Sequence, residues 1–156
     1  MSDIETRLRE SFGRQTMMQT LGAQLVTAGN GEARIEAPIL ESCRQQHGYG
    51  HAGLSFSIGD TAAGYAALSV MPEGSEVLTA EIKMNLLAPA RGDRLVASAR
   101  VVKAGRRLVV VTAEVTSEED GRTRSVALLQ GTMIPVPPED VAATGDASAA
   151  PSIGRS

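Results

Sequence analysis

The chain has 156 residues, a net charge of -3, 42% hydrophobic residues, only 3% aromatic residues and no Trp. That length suits one domain, the negative balance gives no general attraction to nucleic acid or an anionic membrane, and so few rings cannot build a base-stacking platform. One cysteine, Cys43, excludes an internal disulfide, and no charged leader with an apolar stretch and cleavage site opens the sequence, so a cytoplasmic protein is expected.

Ile4, Leu8 and Phe12 recur at spacing four among charges and predict a short amphipathic helix. Met17, Met18 and Leu21 add a helical turn stopped by Gly22, and these methionines fit either the wall of an apolar pocket or gap-filling core packing. Ala23 to Ala28 and Ala33 to Pro38, separated by Gly29-Asn30-Gly31, predict a β-hairpin. A polar loop over 39 to 50 then leads into a helix that Pro72 would close. Counting from Leu54, Ile58, Thr61, Tyr65 and Leu68 fall at helical spacing, while Phe56, Ala62, Ala63, Ala66, Ala67 and Val70 occupy the other faces, so this helix is built to be buried.

Only strands follow. Leu78, Ala80, Ile82, Met84 and Leu86 alternate with Thr79, Glu81, Lys83 and Asn85, which predicts one buried and one wetter face. Leu95 to Lys103, Leu108 to Thr116 and Thr123 to Val136 are three further strands, joined through Ala104-Gly105-Arg106 and Glu119-Asp120-Gly121. The remainder, 137–156, is rich in Pro, Ala, Ser and Gly and is expected to be a disordered tail. The expectation is therefore an α+β fold in one domain over 1–136, its N-terminal helical segment at 1–21, with an antiparallel sheet wrapped around one long central helix. Val109, Val110 and Val111 place apolar residues on both sheet faces, which argues that another subunit covers the second.

Gly48-Tyr49-Gly50-His51-Ala52-Gly53 matches the dinucleotide-binding GxGxxG pattern, but Ser42 to His47 is no buried strand and the later strands lack alternating helices. What survives is the physics of the pattern: amides at a helix N-terminus can hold an anion or a developing oxyanion. His47 and His51 stand four apart but in a glycine-broken loop without further ligands, so no metal is expected. Cys43 has no evident orienting group and reads as a small buried thiol. Asp60 sits among Phe56, Ser57, Ala63 and Gly64, where it is either paired with an arginine or a general base or nucleophile whose reactivity burial raises.

Gln45-x-His47-Gly48-x-x-His51-x-Gly53, continued by Ile58-Gly59-Asp60-Thr61-Ala62-x-Gly64, resembles the signature of hot-dog-fold acyl-CoA thioesterases of the phenylacetate-pathway type. Thr79, Lys83 to Ala90, Gly92 and Val101 to Arg107 extend the similarity over about residues 15 to 135. The resemblance implies the hot-dog fold, hydrolysis of an acyl-CoA without metal or redox cofactor, and Asp60 as the catalytic carboxylate. It implies Gln45 as the group orienting water or substrate, His51 as the opening of the helix motif, and the Ala52 and Gly53 amides as donors to the thioester carbonyl. His47, Gly48, Phe56 and Gly64 are implied substrate contacts, and Arg106 and Arg107 match the region near the CoA nucleotide, where arginine suits phosphate. It further implies sites shared across a homodimer that pairs into a homotetramer, with Asp60 of one subunit facing the loop of the other. A non-catalytic acyl-CoA-binding protein is the alternative.

Overall fold

The computed structural model describes residues 2–140. Ser2 caps α1 (Asp3–Gly13), whose Leu8 is buried, and α2 (Thr16–Thr20) follows at once. Strands β1 (Gln24–Gly29) and β2 (Glu32–Pro38) form the expected hairpin, in which Asn30 and Gly31 have φ of 53° and 81°, the paired left-handed residues of a tight turn. After a 3₁₀ turn at Glu41–Cys43 comes α3 (Ala52–Leu68), which ends at Ser69, short of Pro72. Strands β3 (Glu76–Leu86), β4 (Arg94–Ala104), β5 (Val109–Glu119) and β6 (Arg122–Val136) complete the chain, with Asp120 and Gly121 making the second such turn at φ of 49° and 73°.

All six strands join in one antiparallel sheet of order β1-β2-β4-β5-β6-β3. The sheet wraps around α3, which packs against every strand, and this is the hot-dog architecture. Ile58, Ala62, Ala63, Ala66 and Ala67 are fully buried between Ile35, Leu95, Val111 and Val115 of the sheet, and burial of this kind stabilises by roughly 25 cal/mol per Å² of apolar surface. Gly59 permits the closest approach, since a Cβ there would meet Leu129 Cδ2 at 2.9 Å. At the far edge, Arg9 of α1 donates to the carbonyls of Leu25 (2.7 Å) and Val26 (2.8 Å), holding α1 to a β1 bulge.

Strand β3 departs from the simple alternation. A bulge between Thr79 and Glu81 adds one residue against β6, so the inward phase changes there. Ile82 and Met84 pack on the core as expected, whereas Leu78 is 47% exposed and Thr79 turns toward α3. Tyr65 is buried beneath α1, where Gln15 donates to its hydroxyl (3.0 Å), the hydroxyl donates to Ser11 (3.1 Å) and its ring meets Phe12; Met18 is core and Met17 is exposed. The tail from residue 141 lies outside the described residues; before it, Asp140 N donates to Pro137 O.

Candidate active site

The loop before α3 is built by its own backbone. Gln45 N donates to Tyr49 O (2.8 Å), Gly48 N to Gln45 O (2.9 Å), His51 N to Cys43 O (2.8 Å) and Gly50 N to Ala90 O (2.8 Å). These bonds present His51 as the N-cap of α3, with its Nδ1 accepting from Gly53 N at 2.8 Å, so the ring is the tautomer protonated at Nε2. The Gly53 amide is thereby engaged. The Ala52 amide has no backbone partner among the described residues and stands at the positive end of the 17-residue helix dipole. Gln45 Oε1 accepts from His47 N, which leaves the Gln45 amide nitrogen free to donate.

A cavity of about 470 Å³ opens beside this helix end. Gln45, Tyr49, Ala52 and Ser55 supply one side, and Leu86, Leu87, Pro89 and Val126 an apolar wall opposite. Arg91 stands beside it, donating to the Tyr49 hydroxyl (3.2 Å) with its guanidinium 5.0 Å from the ring centroid. Tyr49, Ser55 and Arg91 were not singled out from sequence; the chain following Pro89 is the one signal that could have found Arg91.

Asp60 is half-buried on α3, and no Lys, Arg or His forms an ion pair with it among the described residues. Its partner is Thr79, whose hydroxyl donates to Oδ1 at 2.8 Å and lies 3.3 Å from Met133 Sδ. Burial raises the Asp60 pKa above its ordinary 3.8, and the Thr79 hydrogen bond opposes the rise. The arginine pairing considered from sequence is thus not made, and a carboxylate left without a cation keeps its basicity.

The expected residues fall in three places within one chain. Gln45 and Ala52 meet at the cavity; His47 and Gly48 are exposed in the loop beside it. Asp60 is eight residues along α3 from Ala52, about 12 Å at ~1.5 Å per residue, and does not line the cavity; Phe56, 38% exposed, lies between them and Gly64 one turn beyond, close to Val77. Arg106 and Arg107 are exposed at the β4–β5 turn, at the end of the sheet where Gly31 N bonds the α3 cap Ser69 (2.7 Å), opposite the cavity. No cluster of three or more His, Cys, Asp or Glu suited to a metal exists among the described residues, and no described helix is long and apolar enough to cross a membrane.

Residues 47–123 match the thioesterase superfamily. A crystal structure of a thioesterase family protein from Silicibacter pomeroyi is 42% identical, superposes with a TM-score of 0.82, and covers 83% of this chain and 96% of its own. The acyl-coenzyme A thioesterase PaaI of Escherichia coli is 27% identical over 114 residues, 72% of this chain and 77% of that protein. The 1,4-dihydroxy-2-naphthoyl-CoA hydrolase of Listeria monocytogenes is 26% identical over 104 residues, 67% of this chain and 85% of that protein.

Proposed function

This chain belongs to the thioesterase superfamily, and we propose that it hydrolyses an acyl-CoA thioester to a carboxylate and free CoA, with Asp60 as the reacting carboxylate. The observation that carries the reading is Asp60 itself: a half-buried carboxylate of raised pKa, without a cationic partner among the described residues, oriented by one hydroxyl. Such a group either takes a proton from water as it attacks the thioester carbonyl or attacks that carbonyl itself. The Ala52 amide and the helix dipole polarise the carbonyl, and the free amide of Gln45 orients water or substrate. His51 acts by capping the helix so that this end stays formed. No metal or redox step enters.

The separation of about 12 Å between Asp60 and the helix-end amides supports a site completed by a second copy, with Asp60 of one subunit facing the loop of the other. Strand β3 offers the means, because it is an edge strand of 11 residues beside exposed Leu78, Leu86 and Leu87. Phosphate recognition by Arg106 and Arg107 also requires a second copy, since their own cavity lies at the other end of the sheet. Dimers pairing into tetramers would cover the outer sheet face.

Two experiments test this. CoA release from a panel of aryl and straight-chain acyl-CoA thioesters should collapse in Asp60→Ala with the fold retained; binding without turnover in wild type would replace catalysis with acyl-CoA binding. Coexpressing Asp60→Ala with Gln45→Ala should restore about a quarter of wild-type activity, because each mixed dimer regains one intact shared site. Absence of recovery would place both residues in a single-chain site.

A further inference from the structure

The Thr79 hydroxyl carries one hydrogen but faces two acceptors, Asp60 Oδ1 at 2.8 Å and Met133 Sδ at 3.3 Å. Met133 stands directly opposite Thr79 in the β3–β6 register and is fully buried, so close packing holds its sulfur beside that hydroxyl. A thioether is a weak acceptor and a carboxylate a strong one, so the hydrogen belongs to Asp60 while Asp60 is ionised. Once Asp60 is protonated on Oδ1, its own O–H needs an acceptor. The Thr79 oxygen serves it without loss only if the Thr79 hydrogen finds another place, and Met133 Sδ is that place. No charged group intervenes. Val77, Thr79 and Ile82 are the β3 residues turned toward α3, so Glu76, Glu81 and Lys83 point away, Glu81 accepting from the Thr132 hydroxyl (2.9 Å). The side chains of β2, β4, β5 and β6 that pack on α3 are apolar, and on α3 itself Tyr65 is turned to α1. Burial and the Thr79 bond are accordingly the two influences on the Asp60 pKa.

Resting on the thioesterase reading above, with Asp60 as general base, we infer that Met133 is a positioning residue: its sulfur receives the Thr79 hydrogen when Asp60 takes a proton, so that Thr79 supports the carboxyl in both of its forms. In that step a water O–H bond breaks, the water oxygen bonds to the thioester carbonyl carbon, and the proton lands on Asp60 Oδ1. The new Oδ1–H donates to Thr79 Oγ1, and the Thr79 hydrogen turns to Met133 Sδ by rotation about one C–O bond. The three heavy atoms already lie within hydrogen-bond reach, so none has to move. A stronger acceptor in place of the sulfur would compete with the ionised carboxylate for the same hydrogen. The sulfur thus favours protonated Asp60, whereas the direct Thr79 bond favours the ionised form.

Met133→Leu removes the acceptor and nearly conserves volume, and Met133→Ile does the same should leucine pack poorly; thermal melting and gel filtration check the fold. Loss of the sulfur leaves the ionised form relatively favoured, so the acid limb of kcat/KM should move to lower pH, and kcat on the plateau should fall about twofold to fivefold. In Thr79→Val, which has no hydroxyl to share, Met133→Leu should change neither. The ¹³C resonance of the Asp60 side-chain carboxyl, followed against pH, reads the same displacement without turnover. An acid limb and a carboxyl titration that both stay in place in Met133→Leu overturn the inference. A displacement that persists in the Thr79→Val background also overturns it, because water entering around Asp60 would then be the cause. A wild type that releases no CoA from any thioester, while the carboxyl titration moves as expected, overturns the thioesterase reading and leaves the coupling of Met133 to Asp60 standing.

Discussion

Removing the Thr79 hydroxyl offers a sharp test of Asp60. In Thr79→Val the side chain keeps its shape, but the 2.8 Å bond to Asp60 Oδ1 is lost. Hydrogen bonds to charged groups contribute about 1.5–3 kcal/mol; Thr79 is exposed, so water replaces part of that, and about 1 kcal/mol is the working figure. At 1.36 kcal/mol per tenfold this is a factor of about five in the balance between ionised and protonated carboxyl. The sign follows from what the bond does: it favours the ionised carboxylate and opposes the rise caused by burial, so its loss lifts the Asp60 pKa further. A base or nucleophile must be ionised, so the acid limb of the kcat/KM profile should move to higher pH, while Thr79→Ser leaves it in place. On the plateau, looser orientation should lower kcat by about tenfold. Initial rates of CoA release followed with a thiol reagent across the acid and neutral range measure both effects. An acid limb that stays put or moves to lower pH in Thr79→Val would refute the argument.

Asp60→Asn should lower kcat by about 10²–10⁴-fold and raise the melting temperature at neutral pH, because it removes a charge that burial disfavours. The folded pKa lies above the ordinary 3.8, so wild type loses stability as pH rises from 3.8 through the folded value; the variant's advantage should be full above that window and vanish below it. His51→Ala removes the 2.8 Å cap on Gly53 N and should cost about 0.5–2 kcal/mol in denaturant melts, with His51→Asn recovering most of it. Gly131→Ala would place a Cβ 2.7 Å from the Glu81 carbonyl oxygen, so β3 must shift beside its bulge; about 1–3 kcal/mol of stability should be lost together with CoA release, and a neutral result would show that the bulge is free to move.

The turns were the most legible part of the fold, because Asn30-Gly31 and Asp120-Gly121 are dipeptides whose left-handed backbone few other residues tolerate. The central helix was legible from its apolar faces, and Asp60 stood out as the charge that such a helix has reason to exclude. The β3 bulge was not legible: one extra residue changes which side chains face inward without changing the run of residue types, so Thr79 read as a wet-face residue instead of the partner of Asp60. Helical spacing likewise showed that Tyr65 is buried but not that α1 covers it, because spacing does not say which element packs on a face. That the His51 ring commits the Gly53 amide is a fact of hydrogen-bond geometry, and no sequence pattern encodes it.

The strand order also bears on how the chain folds. Strands β4, β5 and β6 follow one another and pair in sequence, a meander of local contacts, whereas β3 must wait for β6, pairing Glu76 with Val136 across the whole of that meander. Non-local pairing carries loop-closure entropy before it is rewarded and is accordingly slow. The joining of β3 is also the event that brings Thr79 to Asp60. In refolding experiments, recovery of activity should therefore trail the bulk of sheet formation, so that a chain with most of its secondary structure in place is still inert.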